Sequence, residues 1–202
     1  MSNTNIRNTI ASLPERYYAN KQEIAYFSTY DECDDYFLSE DLIEQIWGWI
    51  TAHYYNLQYL GDRDISGAVS ILATNSGAGR VLAPAPSNTL IMSYNLDYTC
   101  SKITDFVCQE KAEEGKYFSQ MRDISQYFAF KNTNSSRKYD IVITQPASDY
   151  KFYKEVDSDE DMQKLSPVEY YSHRAMHFVD DNGILVIVCP KSYVEKIREK
   201  LD

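Results

Sequence analysis

Two short runs constrain this chain most. Lys138-Tyr-Asp-Ile-Val-Ile-Thr144 and Gly183-Ile-Leu-Val-Ile-Val-Cys189 place apolar, mostly β-branched residues at successive positions. A strand wet on one face alternates apolar with polar, whereas a strand covered on both faces does not. Both runs are therefore expected inside a sheet with a layer on each side. Shorter apolar runs at Val69–Thr74, Val81-Leu-Ala83 and Leu90–Tyr94 are further strand candidates, with Asn75–Gly79 as a turn before Val81. Helical spacing appears between them. Ser39-Glu40-Asp41 opens a segment with Leu42, Ile43, Ile46, Trp47 and Ile50 on one face, a serine N-cap followed by first-turn acids. Ile103, Phe106, Val107 and Cys108 mark a second helix, residues 167–178 a third, and Val194, Ile197 and Leu201 a last one. Strands alternating with helices indicate an α/β fold with a parallel sheet. The polar stretch 1–24 reads as a helix or arm. The chain divides into an N-terminal helical segment, 1–55, and an α/β unit, 56–202, within one compact whole.

At 202 residues, a chain can bury about 70% of its unfolded surface and needs no disulfide or metal staple. Cys33, Cys100, Cys108 and Cys189 form no CxxC pair, and they read as reduced thiols of a cytoplasmic protein. The first ten residues lack an apolar leader core, and no apolar run reaches membrane-spanning length. The net charge of −10 argues against a stand-alone grip on duplex DNA, since phosphate contacts require basic residues. It favours a protein partner or a small ligand, and 18 tyrosines supply contact area for a partner. The acidic stretch Glu155–Asp161 reads as a solvated loop. His173 and His177 lie four apart on a predicted helix, but His-Arg-Ala-Met-His lacks the metalloprotease glutamate and no third ligand is evident, so no metal site is expected.

The order of segments from residue 35 to 195 resembles the N6-adenine DNA methyltransferases, a family with the class I S-adenosylmethionine-dependent fold. The resemblance centres on Tyr139-Asp140 through Thr144-Gln145-Pro146-Ala147-Ser148. The family has a strand there ending in Asn-Pro-Pro-Tyr, whose amide and backbone carbonyl bind the adenine amino group while the aromatic stacks on the flipped base. The resemblance implies catalytic roles for Gln145 and Pro146. Ala147 replaces the second proline and Ser148 the aromatic, with Tyr150 or Phe152 as the nearest substitute rings. The helix at Glu169–Phe178, the turn Asp181-Asn-Gly183 and the strand to Val188 with Pro190 match the family's later elements.

The family's cofactor strand ends in Asp-Pro-x-x-Gly-x-Gly. Aligned on Val81-Leu-Ala83-Pro84, only Pro84 is kept; Ala83 replaces the acid, and Pro86 and Asn88 stand at the glycine positions. The strand Leu90–Asp97 resembles the second motif, whose acid holds the ribose hydroxyls, with Asn95 near that place and Asp97 two residues on. Arg122-Asp123-Ile124 resembles the third, where an acid binds the cofactor's adenine. Pro84, Asp97 and Asp123 are thus the implied cofactor residues, although a lone Asp at a strand end, as Asp97 is, is more often a helix cap. Asp35-Tyr-Phe-Leu-Ser39 resembles the entry to the family's first helix.

The expected architecture is a Rossmann-like methyltransferase sheet, truncated at its C-terminal end, with an N-terminal helical segment. Scaffold features persist while chemical ones are replaced. That pattern points to a non-catalytic binding or regulatory subunit, paired with a protein such as an active methyltransferase or a restriction subunit. DNA is reached only indirectly, and S-adenosylmethionine binding is disfavoured by the glycine-free loop. An active, divergent N6-adenine methyltransferase is the alternative. An acidic DNA mimic is a third, which would need Asp31–Asp35, Glu155–Asp161 and Asp180–Asp181 along one ridge.

Overall fold

The structure is a computed structural model. It describes residues 38–60, 69–77, 79–86, 88–129, 137–146 and 156–201. Five parallel strands form one sheet: β1 (Ser70–Thr74), β2 (Leu90–Tyr94), β3 (Tyr117–Gln120), β4 (Tyr139–Thr144) and β5 (Val179–Ile187). Their spatial order is β3-β2-β1-β4-β5. The sheet is wound outward from β1 in both directions, so the strand order reverses between β1 and β4, the place where α/β sheets open a ligand crevice. Both runs that anchored the sequence reading are strands. β1 and β4 are fully covered, with Ile71, Leu72, Val142 and Ile143 at 0% exposure.

Helices cover both faces, as expected. On one face α1 (Glu40–Leu60) lays Ile43, Ile46, Ile50 and Tyr54 against Ile71, Ala73, Ile141 and Ile143. Ser39 begins α1 as an N-cap, its Oγ accepting the Leu42 N–H at 3.2 Å. The helix continues past residue 55 to Leu60 and forms a layer of the sheet's own core. α2 (Tyr98–Val107) and the short α3 (Gln109–Glu113) connect β2 to β3. On the other face α4 (Pro167–Met176) and a 3-10 turn (Ile124–Phe128) pack Tyr170, Tyr171, Ala175, Ile124 and Phe128 on Leu72, Tyr94 and Val142. α4 opens with a reciprocal capping box between Ser166 and Glu169 and a proline in its first turn. A 3-10 turn (Lys191–Tyr193) and α5 (Val194–Leu201) close the chain.

The structure corrects three expectations. Val81–Ala83 is not a strand. Arg80–Leu82 is a 3-10 turn, with Val81 and Leu82 buried beneath α1 and the Trp47 indole N–H on the Val81 carbonyl at 2.7 Å. Its apolar run reflects burial of a turn, which periodicity does not separate from a short strand. The Glu155–Asp161 stretch is not wholly solvated. Asp157 is 3% exposed, and Arg174 grips its carboxylate with Nε and Nη2, each at 2.8 Å. β5 begins at Val179 rather than Gly183, with its register shifted opposite Tyr139–Ile141. The helix and strands β1, β2 and β4 otherwise fall where the pattern placed them.

Gly183 sits at that irregularity. A Cβ there would lie 2.9 Å from both the Asp140 and the Asp180 carbonyl oxygens. Backbone on two sides cannot yield as a side chain can. Gly183→Ala is expected to cost about 1–3 kcal/mol, the usual range for overpacking, measured by urea unfolding. A neutral result would mean that β5 shifts freely against β4.

Candidate functional site at the carboxyl ends of the strands

Because all five strands run the same way, their carboxyl ends share one edge. The first residue beyond each strand is laced to its neighbour. Asn95 N–H donates to the Gln120 carbonyl at 3.3 Å, Asn75 N–H to Tyr94 at 3.0 Å, Gln145 N–H to Thr74 at 3.3 Å, and Val188 N–H to Thr144 at 2.9 Å. Of the first residues beyond the strands, in spatial order Met121, Asn95, Asn75, Gln145 and Val188, three are amides and none is charged.

The turn after β1 holds the largest difference from the sequence reading. Gly77 and Gly79 follow the central strand rather than precede one. Ala73-Thr74-Asn75-Ser76-Gly77-Ala78-Gly79 reproduces the Asp-Pro-x-x-Gly-x-Gly spacing, with both glycines kept, Ala73 at the acid and Thr74 at the proline. Asn75, Gly77 and Gly79 all have positive φ, at 51°, 53° and 69°. Pro84, aligned earlier with this motif, instead lies exposed beyond the 3-10 turn, as do Pro86 and Asn88. The offset of four and six residues from Ala73 to the two glycines was the signal available in the sequence. Loss of the acid and proline at the head of the motif hid it, and the proline after Val81-Leu-Ala83 offered a false anchor.

The turn is sewn to α2. Asn95 Nδ2 donates to Ser76 Oγ and to Thr104 Oγ1, both at 3.3 Å, and Thr104 Oγ1 donates to the Gly77 carbonyl at 3.2 Å or the Cys100 carbonyl at 2.7 Å. Asn95 is 5% exposed and Thr104 0%. A Cβ on Gly79 would fall 2.4 Å from Thr104 Cγ2, so this glycine answers to helix packing.

The two candidate carboxylates both carry structural hydrogen bonds. Asp97 caps α2, its Oδ1 accepting the Cys100 N–H at 2.7 Å. Asp123, fully buried, accepts the Ser125 N–H at 2.8 Å on Oδ1 and the Tyr171 hydroxyl at 2.8 Å on Oδ2. Of the catalytic candidates, Gln145 is 6% exposed and Pro146 is buried. Asp140 stands at the opposite, amino end of the sheet. Its Oδ2 accepts the Ser70 N–H at 2.6 Å and hydroxyl at 2.7 Å, joining β4 to β1. Ala147, Ser148, Tyr150, Phe152 and the Asp31–Asp35 cluster lie outside the described residues.

Beside the edge, Tyr94 and Tyr127 share a hydroxyl–hydroxyl bond of 2.5 Å, and burial drives the Tyr94 phenol pKa well up. His177 meets Phe128 and Phe178 edge-on. Burial, then Lys138 and Arg174, lower its pKa. Among the described residues no three His, Cys, Asp or Glu side chains come together as a metal site, and no helix is long and apolar enough to cross a membrane.

The fit of an S-adenosyl cofactor turns on donors and acceptors. Thr74 Oγ1, Asn75 Nδ2 and Thr144 Oγ1 are buried at this edge without hydrogen-bond partners among the described residues. They offer neutral polar contacts. In the family resembled above, an acid near the end of β2 would hold the ribose diol; here Asn95 stands near that place, its amide nitrogen donating to Ser76 and Thr104. The first residue beyond β2 is thus a neutral side chain and not a carboxylate.

No family model matches the sequence, and no curated protein matches it. Solved structures do match. An S-adenosylmethionine-dependent O-methyltransferase from Thermotoga maritima superposes with a TM-score of 0.51 at 15% identity, over 82% of this chain and 50% of that one. A candidate RNA methyltransferase from Pyrococcus horikoshii gives 0.50 at 12% identity, over 98% and 80%. The chain thus spans half the length of the first and four-fifths of the second. The shared property is the fold, the Rossmann-like sheet of the class I methyltransferases.

Proposed function

We propose that this chain is a methyltransferase-fold subunit that binds or regulates rather than catalyses, acting with a protein partner and reaching DNA only through it. One observation carries the reading: near the end of β2, where the resembled family carries its ribose-binding acid, stands Asn95, a neutral side chain whose amide nitrogen donates to Ser76 and Thr104. The remaining carboxylates nearby, Asp97 and Asp123, cap helical turns. The fold is kept and the charges that would hold a cofactor are absent or committed. Resemblance to the N6-adenine family supplies the partner class, an active methyltransferase or restriction subunit, by analogy.

A second reading, a working N6-adenine methyltransferase, is favoured by Gly77 and Gly79 standing in motif register after β1. It would place the target amine at the Gln145 amide and the Pro146 carbonyl. Transfer of a labelled methyl group from S-adenosylmethionine to adenine-containing DNA separates the two. No incorporation above a protein-free control is expected. Incorporation that Gln145→Ala abolishes would establish the enzyme instead.

A further inference from the structure

We propose that the groove between α2–α3 and β3 receives an arginine side chain of the protein partner. This deepens the binding-subunit reading above and rests on it.

The groove has a volume of about 590 Å3 and opens to solvent. Lys102, Asp105, Gln109, Ala112 and Glu113 form one wall. Successive members are mostly three or four residues apart, the spacing of one helix face. The break between α2 and α3 does not interrupt that face. The Cys108 N–H still bonds to the Thr104 carbonyl, and the Ala112 N–H to the Cys108 carbonyl. Tyr117 and Ser119, alternate residues of β3 and so on one side of the strand, form the other wall.

Two carboxylates in the groove are each held by one oxygen. The Tyr117 hydroxyl donates to Asp105 Oδ1 at 3.0 Å. Burial, and then the Asp105 charge, push that phenol pKa up, so it stays a donor. Gln109 Nε2 donates to Glu113 Oε1 at 2.9 Å. Asp105 Oδ2 and Glu113 Oε2 accept no hydrogen bond among the described residues. The one cation in the groove, Lys102, lies 3.7 Å from Asp105 Oδ2, beyond hydrogen-bond length, with its ammonium 5.6 Å from the Tyr98 ring centre.

Charge complementarity selects the occupant. Two carboxylates outnumber one ammonium, in a chain of net charge −10, so a cation is favoured over an anion. A guanidinium brings five N–H donors in a flat fork, and Asp105 Oδ2, Glu113 Oε2 and the Ser119 hydroxyl offer acceptors on both walls. An ammonium has three donors and is more strongly hydrated, so arginine fits better than lysine. The Ala112 methyl and the Tyr117 ring give its aliphatic stem an apolar contact. An open groove admits a side chain carried on another protein, and arginine is enriched at such interfaces.

Titration of the full chain with N-acetyl-argininamide, followed by backbone amide chemical shifts, tests this. Saturable shifts at Asp105, Gln109, Glu113 and Ser119 are expected, with a millimolar Kd. The uncharged analogue N-acetyl-citrullinamide should leave them unmoved. Asp105→Asn and Glu113→Gln should each weaken binding by about threefold, within the range of an exposed ion pair. Lys102→Met should strengthen it by a similar factor, because a competing ammonium is gone. If Asp105→Asn misfolds through loss of the Tyr117 bond, the other two variants still decide. No saturable shift, or an equal response to the citrulline analogue, overturns the proposal. So does weaker binding in Lys102→Met, which would make the groove an anion site. Free arginine binding tenfold tighter than the blocked form would assign a small molecule in place of a partner. Cofactor binding by this chain would overturn the binding-subunit reading and leave these shifts as they are, so the two failures are distinct.

Discussion

Arg174→Ala is expected to lower stability by about 3–5 kcal/mol, the range for removing one member of a buried ion pair. The pair is two-pronged, and Asp157 keeps no exposure at its side chain. The Tyr170 hydroxyl adds a third bond to the same carboxylate at 2.6 Å, and burial with that neighbouring charge pushes the tyrosine pKa up. The guanidinium also lies 4.1 Å above the Phe128 ring. Without Arg174, the carboxylate must either stay charged in an apolar setting or take up a proton. The pair matters to the site because it fixes where the chain re-enters after β4. Gln145 holds one end at Thr74, and Asp157 holds the other at α4. Urea unfolding measures the cost. Arg174→Lys should lose most of the same stability, since an ammonium cannot make the two-pronged contact. A loss below about 1 kcal/mol in Arg174→Ala would mean that the pair is wet and only positional.

Gly79→Ala is expected to cost about 3 kcal/mol. Part is conformational: a left-handed backbone costs a residue with a Cβ roughly 1–2 kcal/mol. The rest is overlap, since the added methyl would fall within 2.8 Å of three Thr104 atoms. The two parts separate in a double variant. Adding Thr104→Ala removes the overlap but not the strain, so Gly79→Ala should cost less in that background than in the wild type. Equal cost in both backgrounds would show that the loop moves away from α2. That outcome would detach the glycine from helix packing, and with it the account of Asn95 as a residue held inside the joint.

Much of the fold was legible in the sequence because burial leaves a pattern. The two runs without polar alternation became β4 and β5, and the serine cap at Ser39 lies where local chemistry required it. β3 was not anticipated: Phe118, Ser119 and Gln120 are exposed at the sheet edge, so the strand shows little apolar signature. The buried turn at Arg80–Leu82 imitated a strand for the opposite reason. The site was legible only in part. Its positions follow from strand ends, and Gln145 and Asn95 stand at the edge as the motif order implied. Pro84 does not, because the alignment followed a proline instead of the glycine spacing. The commitments of Asp123 to Tyr171, 48 residues away, and of Asp157 to Arg174 are long-range, and no local pattern announces such pairs.

On the proposed function, the neutral Asn95 near the end of β2 leaves the fold without a grip on the cofactor's ribose. Two charge-assisted bonds from a carboxylate to a ribose diol contribute about 1.5–3 kcal/mol each. Replacing the carboxylate by a neutral amide should weaken binding by roughly a hundredfold or more. Isothermal titration of the purified chain with S-adenosylmethionine and S-adenosylhomocysteine reads this directly, with thermal shift as a second readout. No heat and no shift at millimolar ligand is the expected result. Saturable binding at micromolar Kd would contradict it, and would return Gly77, Gly79 and Gln145 to the working site of an enzyme.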